Sequence, residues 1–385
     1  MTKRYLGWTL VPGIWILWAF NRPAKALPTM VRLGYTNCSV CHISPQGGGL
    51  LNAYGRSIDL AQSLKTGDYQ PSTNKFVKWL SWGDRITEDL RNVTQGQVST
   101  ATDEPTIGTV RARFIYRNAT ELGKGWRLSA IANGENRSVK RPNVSYEPPI
   151  QPDEVYLTSA LISYRPKSTL EFSAGRDPLP TGVNNPDLTT YIRARNKYGY
   201  YDSPVQVKMF WWGKHYQVNP YAFGPSGTEP TGAKESGGGS LAEFYLLGKR
   251  ATTVLGLNTL HGSTRTTDRT LVGPYLRLGM GKWGILAEHD FANRSLNATT
   301  TSFLQQASYA QLFWYPREWL LISTIGEQMQ VERPFQERLI AGRFEVTSRF
   351  SNHITLALTS RFQENMITGQ FAPSVALQLA LKTVN

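Results

Sequence analysis

The sequence predicts an all-β fold, an antiparallel β-barrel of about 16 strands preceded by a small, partly helical N-terminal segment. Three observations predict it. Apolar and polar residues alternate with a period of two from about residue 79 onward, and short turns alternate with longer polar loops. No apolar run after residue 26 is long enough for a membrane helix. Strands with one apolar and one polar face suit an antiparallel sheet that is wet on one side.

Residues 1–26 are typical of a secretory signal. Basic residues begin it, residues 5–20 are apolar and rich in Trp and Leu, and residues 24–26 (Ala-Lys-Ala) supply a small-x-small cleavage site. The alternative is a transmembrane anchor. However, Pro12 interrupts the apolar stretch, which is shorter than the ~20 residues that span a bilayer. We therefore expect an exported chain.

The formal net charge of +14 raises the question of nucleic acid as a partner. The Lys and Arg residues are scattered along the chain rather than clustered. Because the chain is also predicted to be exported, we expect no nucleic acid among its partners.

Both cysteines fall in one motif, Cys38-Ser39-Val40-Cys41-His42. This is the spacing of c-type haem attachment, in which two thiols bind the vinyl groups of one haem and the next imidazole binds its iron. A zinc site would need about four ligands. A thioredoxin-like pair would lie on a βαβ unit, and a simple disulfide would leave His42 unexplained. The motif therefore predicts one covalent haem c bound by Cys38, Cys41 and His42.

The flanks of the motif predict a small module that wraps the haem. Pro45 and the glycines at 47–49 let the backbone pass close to a flat cofactor, and apolar spacing predicts a short helix over residues 50–64. Residues 65–74 are typical of a linker, so the monohaem segment with its linker spans 27–74 and the barrel 75–385. A module of under ~50 residues has too little core to stand alone, so we expect it to plug the barrel lumen.

The second axial ligand of the haem iron stays open in the sequence. Met30 is one candidate, with hydrophobic packing as the alternative, and strand periodicity places His215 and His353 on faces that can point into the lumen. A five-coordinate iron would favour ligand binding over pure electron transfer. Lumen-facing arginines are candidates for holding haem propionates or are ordinary wall charge: Arg111, Arg113, Arg127, Arg277 and Arg361.

Turns and loops indicate an outer-membrane barrel. Short turns are predicted at 166–167, 213–214, 248–250, 281–282, 316–318 and 351–352, and longer loops at 134–153, 178–203, 224–239, 262–270 and 292–300. Short periplasmic turns, long extracellular loops and aromatic residues near strand ends are typical of outer-membrane barrels. A soluble β-sandwich or barrel is the alternative, and the chain lacks the aromatic C-terminal residue that many outer-membrane barrels have.

A haem motif ahead of a barrel resembles the fused monohaem cytochrome c–porin family, the outer-membrane iron oxidases of iron-oxidising bacteria. The resemblance rests on Pro28-x-x-x-Arg32, on the haem motif, and on Leu51-x-x-Tyr54-Gly55-Arg56. It also rests on the order of signal, haem segment and barrel. The resemblance makes Tyr54 and Arg56 further candidates for haem contact. The glycines at 47–49 and the modest chain length depart from the family.

The resemblance implies an electron conduit of the outer membrane. Electrons would pass from extracellular Fe(II), or another reductant, through the haem to a soluble periplasmic cytochrome or other carrier. Such a protein would be an Fe(II)-oxidising oxidoreductase, although the sequence marks no catalytic residue. The alternatives are a solute porin gated or sensed by its haem segment, and an outer-membrane anchor that docks periplasmic cytochromes. In each case the barrel contacts lipid and the haem segment enters from the periplasmic side.

Overall fold

The computed structural model describes residues 28–47, 49–65, 86–99, 106–107, 111–135, 155–184, 190–198, 203–227, 234–248, 251–299 and 301–382. The predicted signal at 1–26 and most of the predicted linker lie outside the described residues. Within these ranges, no helix is long and apolar enough to cross a membrane.

The N-terminal segment contains two 3-10 helices, Pro28–Leu33 and Cys38–Val40, and helix α1 (Ala53–Ala61). A second short helix, α2 (Tyr191–Arg195), lies between two strands. The first strands are β1 (Ile86–Ser99), β2 (Thr106–Ile107), β3 (Arg111–Gly123), β4 (Trp126–Glu135), β5 (Val155–Lys167), β6 (Leu170–Arg176), β7 (Val205–Trp212), β8 (Tyr216–Gly224) and β9 (Ser236–Leu247). They are followed by β10 (Thr252–Ser263), β11 (Thr267–Met280), β12 (Trp283–Leu296), β13 (Thr301–Arg317), β14 (Leu320–Val331), β15 (Glu337–Arg349), β16 (Ile354–Asn365) and β17 (Gln370–Lys382).

Sixteen of the seventeen described strands close into one antiparallel barrel, which confirms the predicted fold. The exception is β2, two residues long, which only extends the end of β1 by pairing Ile107 with Val98. The ring closes because β1 pairs with β3 on one side and with β17 on the other, where Arg91 lies opposite Lys382. A closed barrel leaves no unpaired sheet edge, which is the condition for a β-structure in lipid.

The two faces of the barrel differ in chemistry as the period-two pattern predicts. Along β7, Val207 and Trp211 point outward with 59% and 48% of their surface exposed, while Gln206 and Lys208 point inward and are buried. Aromatic pairs stack near the strand ends on the outer face, such as Trp283 on Trp314 with ring centroids 5.1 Å apart. An apolar exterior is the arrangement that a bilayer requires, and it is the reverse of a soluble β-sandwich, whose outer faces are polar.

The connections segregate to the two ends of the barrel. Every second connection along the chain, from β3–β4 to β15–β16, is a turn of two to four residues. There are seven of these turns, and the short turns predicted from the sequence lie at six of them. This short-turn end also holds the start of β1 and the end of β17. Two predicted loops are much shorter than expected, because β10, β11, β12 and β13 continue into them. Residues 264–266 replace the loop predicted at 262–270, and residues 297–300 replace that at 292–300.

The connection between β6 and β7 folds into the barrel and fills one side of it. Its residues Leu179, Val183, Ile192 and Tyr198 join a single hydrophobic core with inward side chains of β8 to β15. Carboxylates of the wall hold its backbone: Glu288 accepts from the amide of Val183 at 2.7 Å, and Glu327 from that of Tyr191 at 2.8 Å. The described inward side chains of β1, β16 and β17 are only half-buried. The lumen is therefore packed on one side and less covered on the other.

Candidate cofactor site

Residues 28–65 lie against the inner wall at the short-turn end. The hydroxyls of Thr29 and Tyr315 are 2.9 Å apart, and Arg32 forms an ion pair with Glu318. The guanidinium of Arg32 also lies 4.1 Å from the ring centre of Tyr315. A Cβ on Gly279 of β11 would come within 2.2 Å of the Arg32 backbone nitrogen, so the segment rests directly on the barrel strand there.

Asp59 of α1 attaches the other end of the segment to the wall. Its buried carboxylate forms ion pairs with Arg349 of β15 and Lys382 of β17. Burial alone would raise the pKa of Asp59, but these two cations hold it well below the usual value of a carboxyl group. The amides of Leu64 and Lys65 then donate to backbone carbonyls at 349 and 350, at 2.9 and 3.0 Å. Asp59 was not among the residues predicted from the sequence, although a lone acid within a short apolar-spaced helix is a signal for such an anchor.

The cysteine motif forms a tight turn that α1 supports. Asn37 caps the 3-10 helix by accepting from the Ser39 amide at 2.8 Å, and the amide of His42 donates to the Cys38 carbonyl at 2.9 Å. A Cβ on Gly55 would lie 2.0 Å from the Cys41 carbonyl oxygen, so only glycine allows α1 to approach the motif this closely. This contact gives a physical reason for the glycine in Leu51-x-x-Tyr54-Gly55-Arg56.

Asn52 ties the start of α1 to the same turn. Its side-chain oxygen accepts from the Gly55 amide at 2.8 Å, which caps the helix. Its side-chain amide donates to the Val40 carbonyl at 3.0 Å. One asparagine thus satisfies backbone groups of both the helix and the motif. Asn52 was not predicted as a supporting residue, although an asparagine directly before a short apolar-spaced helix is the sequence signal for an N-cap.

The two thiols do not form a disulfide. Burial raises the pKa of Cys41 to about 11, and burial raises that of Cys38 against the opposing effect of Arg277. Gly47, with a φ of +79°, packs on Cys38, and a Cβ there would be 3.0 Å from the sulfur. A glycine at this position lets the loop pass over the thiol.

Among the lumen arginines named from the sequence, Arg277 reaches the cysteine motif. It is buried, donates to the Thr36 carbonyl at 3.4 Å and forms an ion pair with Glu243. Arg127 instead pairs with Glu171 at 2.7 Å, and Arg361 lies 5.9 Å from the ring centre of Tyr191. Arg113 lies inward on β3, and the side chain of Arg111 is outside the described residues.

A cavity of about 870 Å³, counted with its open mouth, lies between residues 43–50 of the segment and the inner wall of β3, β4 and β5. Ile43, Leu50 and Ile131 contribute apolar surface to it. Arg117 and Arg193 contribute positive charge, and Arg117 donates to the Gly49 carbonyl at 3.1 Å.

Met30 and Tyr54 lie in the segment close to the motif. Met30 is buried, and its sulfur accepts from the side-chain amide of Gln62 at 3.8 Å, which agrees with a packing role. Tyr54 is 47% exposed and its hydroxyl bonds to that of Tyr35, an interaction that raises the pKa of Tyr35 to about 12. Arg56 is half-buried in α1.

His215 and His353, which strand periodicity places on faces that can point into the lumen, both lie at the short-turn end of the barrel. Both are exposed residues of short turns, immediately before β8 and β16 begin. The Nδ1 atom of His353 lies 2.9 Å from the Lys382 carbonyl oxygen. No group of three or more His, Cys, Asp or Glu residues suited to a metal ion occurs within the described ranges.

Comparison with known proteins identifies the fold. No protein-family model and no curated protein matches the sequence. The structure is similar to OprB of Pseudomonas putida, with a TM-score of 0.61 and 10% identity over 80% of this chain and 96% of that one. It is also similar to OmpT of Vibrio cholerae, with a TM-score of 0.54 and 10% identity over 78% and 98%. A third similar structure is an anion-selective porin from Comamonas acidovorans, with a TM-score of 0.55 and 12% identity over 77% of this chain and 100% of that one. The chain therefore has the fold of outer-membrane β-barrels.

Proposed function

We propose that this chain is an outer-membrane electron conduit in which one covalent haem c transfers electrons between an extracellular donor such as Fe(II) and a soluble periplasmic carrier. The observation that carries this proposal is the position of the Cys38–His42 motif inside the short-turn end of the barrel, beside Arg277 of the wall. Short turns face the periplasm in outer-membrane barrels. A redox group at the motif would be held in protein and still be close to the periplasm.

The residues around the motif fit a haem c. Two thiols outside any disulfide and an imidazole occupy the required spacing, and Gly47 lets the loop pass close to the sulfur of Cys38. The adjoining cavity offers apolar surface together with Arg117 and Arg193, which suit a flat apolar group with carboxylates. A bound haem supplies one-electron chemistry.

In this proposal the chain's own residues hold and tune the group. Cys38 and Cys41 would form the thioethers and His42 would be the proximal ligand. Asn52 and Gly55 support the turn that presents these side chains, and Arg277 sets a buried positive charge beside Cys38. Ligand identity, burial and nearby charge are the means by which a protein tunes a redox potential.

The direct test is a visible spectrum of the purified protein before and after addition of Fe(II), beside a Cys38→Ala, Cys41→Ala variant. A c-type reduced spectrum that appears with Fe(II) and is absent from the variant would support the conduit. A haem that Fe(II) does not reduce would remove the iron-oxidase activity. Absence of haem from the wild-type protein would remove the whole redox proposal. A membrane-impermeant donor supplied to intact cells then tests access from outside: failure to reduce the haem would favour an anchor that docks periplasmic cytochromes.

A solute porin is the second candidate function, favoured by the half-buried inward side chains of β1, β16 and β17. Arg113, Arg117 and Arg361 point inward on or near this side, and positive charge would favour anions. Planar-bilayer conductance separates the two functions. A large, steady pore would contradict a lumen plugged by residues 28–65, whereas a closed or barely conducting barrel would contradict the porin.

A further inference from the structure

Exposed lysines surround the mouth of the barrel at the short-turn end. Lys124, Lys167, Lys214 and Lys282 lie at four different turns, β3–β4, β5–β6, β7–β8 and β11–β12, and every one of these side chains is exposed. Within the described ranges none of them forms an ion pair; Lys282 donates to a backbone carbonyl at 3.2 Å. We call these four residues the lysine rim. The same end is poor in exposed acids. Among the residues that the structure describes near these turns, Glu121 has the exposed carboxylate.

Exposed apolar side chains of the N-terminal segment occupy the same end of the barrel. Leu33, Val40 and Tyr54 have 44%, 39% and 47% of their surface exposed. Val40 belongs to the Cys38–His42 motif itself, so the edge of the motif is accessible. Apolar surface at the centre with charged residues at the margin is the composition of a protein–protein interface.

We infer that the lysine rim and the exposed residues Leu33, Val40 and Tyr54 form a docking surface for a soluble protein with an acidic face. This inference rests on the proposed function and specifies the chemistry of its periplasmic carrier. Complementary charge speeds diffusional encounter and selects orientation, while it adds less to the final affinity. Small, transient interfaces of this kind suit electron carriers, which must leave after each transfer.

The lysines also lie near the outward aromatic belt, for example Lys282 beside Trp283. Anionic lipid headgroups are therefore the competing occupant. We favour a protein partner because the exposed apolar residues at this end belong to the N-terminal segment, inside the ring of strands, where no headgroup is in reach. The lysines alone would suit a lipid surface; the lysines together with that apolar centre suit a protein.

The test compares two charge-reversal variants of the full-length protein in nanodiscs of zwitterionic lipid. The rim variant carries Lys167→Glu, Lys214→Glu and Lys282→Glu. The control variant carries Lys234→Glu, Arg265→Glu and Arg333→Glu, three exposed cations at the opposite end. The probes are two soluble monohaem cytochromes c of similar size, one with net negative and one with net positive charge. Association rates are measured by stopped-flow mixing at several ionic strengths.

We expect the acidic probe to associate with the wild type and with the control variant at similar rates that fall as salt rises. The rim variant should associate roughly 10- to 100-fold more slowly, with a weaker salt dependence. Equal rates for the rim and control variants would overturn the inference, as would equal binding of the basic probe. The rim variant could instead differ from the wild type only in anionic nanodiscs, by inserting into the lipid less well. That result would assign the lysines to lipid headgroups and would also overturn the inference.

Failure of this inference can be distinguished from failure of the proposed function. The Cys38→Ala, Cys41→Ala variant cannot attach a haem but keeps the lysine rim, so it should bind the acidic probe as the wild type does. Lack of haem in the wild type with normal probe binding would refute the conduit and retain the docking surface. A normal haem spectrum without charge-dependent binding of the probe would refute the docking surface and retain the conduit.

Discussion

Replacement of Asp59 by asparagine tests whether the N-terminal segment is anchored to the barrel wall. The carboxylate is the shared partner of Arg349 and Lys382, and the three side chains expose only 6%, 12% and 14% of their surface. Asparagine keeps the size of the side chain and removes its charge. The two cations would then face each other without a counter-ion, while the Arg349 side chain keeps its bond to the Asp59 backbone carbonyl at 3.2 Å.

The expected cost follows from the burial of these groups. Removal of one partner from a buried ion pair costs about 3–5 kcal/mol. Both cations lie at the ends of strands at the mouth of the barrel, where water can reach them, so we expect about 3 kcal/mol. Because 1.4 kcal/mol corresponds to a factor of ten, the equilibrium for release of α1 from the wall should increase roughly 100-fold.

Hydrogen exchange of the Leu64 and Lys65 amides measures that equilibrium. Both donate to carbonyls of the β15–β16 turn and become free to exchange when α1 leaves the wall. Asp59→Asn should speed their exchange roughly 100-fold. Glu121→Gln, which neutralises an exposed carboxylate at the same end, should leave it unchanged. Equal exchange in the wild type and in Asp59→Asn, with an intact barrel, would refute the anchoring role.

Three further predictions concern pH, packing and redox potential. The depressed pKa of Asp59 means that its stabilising effect is fully present above the ordinary carboxyl pKa of about 4, so the protection factors of the Leu64 and Lys65 amides, which correct for the pH dependence of intrinsic exchange, should stay constant from pH 7 to 5 and decrease only at lower pH. Gly55→Ala should reduce haem attachment several-fold and lower the thermal midpoint of the segment, because a Cβ meets the Cys41 carbonyl oxygen at 2.0 Å. Arg277→Gln should lower the haem potential by roughly 60 mV in a redox titration, because it removes a buried positive charge beside Cys38 and leaves Glu243 unpaired.

Each of these predictions has an outcome that would contradict it. Protection of these two amides that already decreases between pH 7 and 5 would show that the cations do not lower the Asp59 pKa. Haem attachment in Gly55→Ala equal to that of Ser57→Ala, a change on the exposed face of α1, would remove the packing argument. The control for the redox titration of Arg277→Gln is Arg127→Gln, which removes an inward arginine paired with Glu171. An equal shift in Arg127→Gln and Arg277→Gln would show that neither acts through a local charge.

Features that depend on neighbouring positions could be predicted from the amino-acid sequence alone. Side chains of a strand alternate between faces every residue, so the pattern in segments such as 205–211 was enough to predict strands, their lipid-facing side and the antiparallel sheet. Turn spacing was enough to predict an even strand number. The haem c prediction is likewise local, since it depends on the five consecutive residues of the Cys38–His42 motif.

What fills the barrel depends instead on contacts between distant parts of the chain. The contact of Asp59 with Lys382 joins residues 323 positions apart, and that of Arg32 with Glu318 joins residues 286 positions apart. No periodicity encodes such pairs. The same holds for the fold of residues 177–184 and 190–198 into the lumen and for Gly55 against Cys41, which depend on shape after the strands have closed.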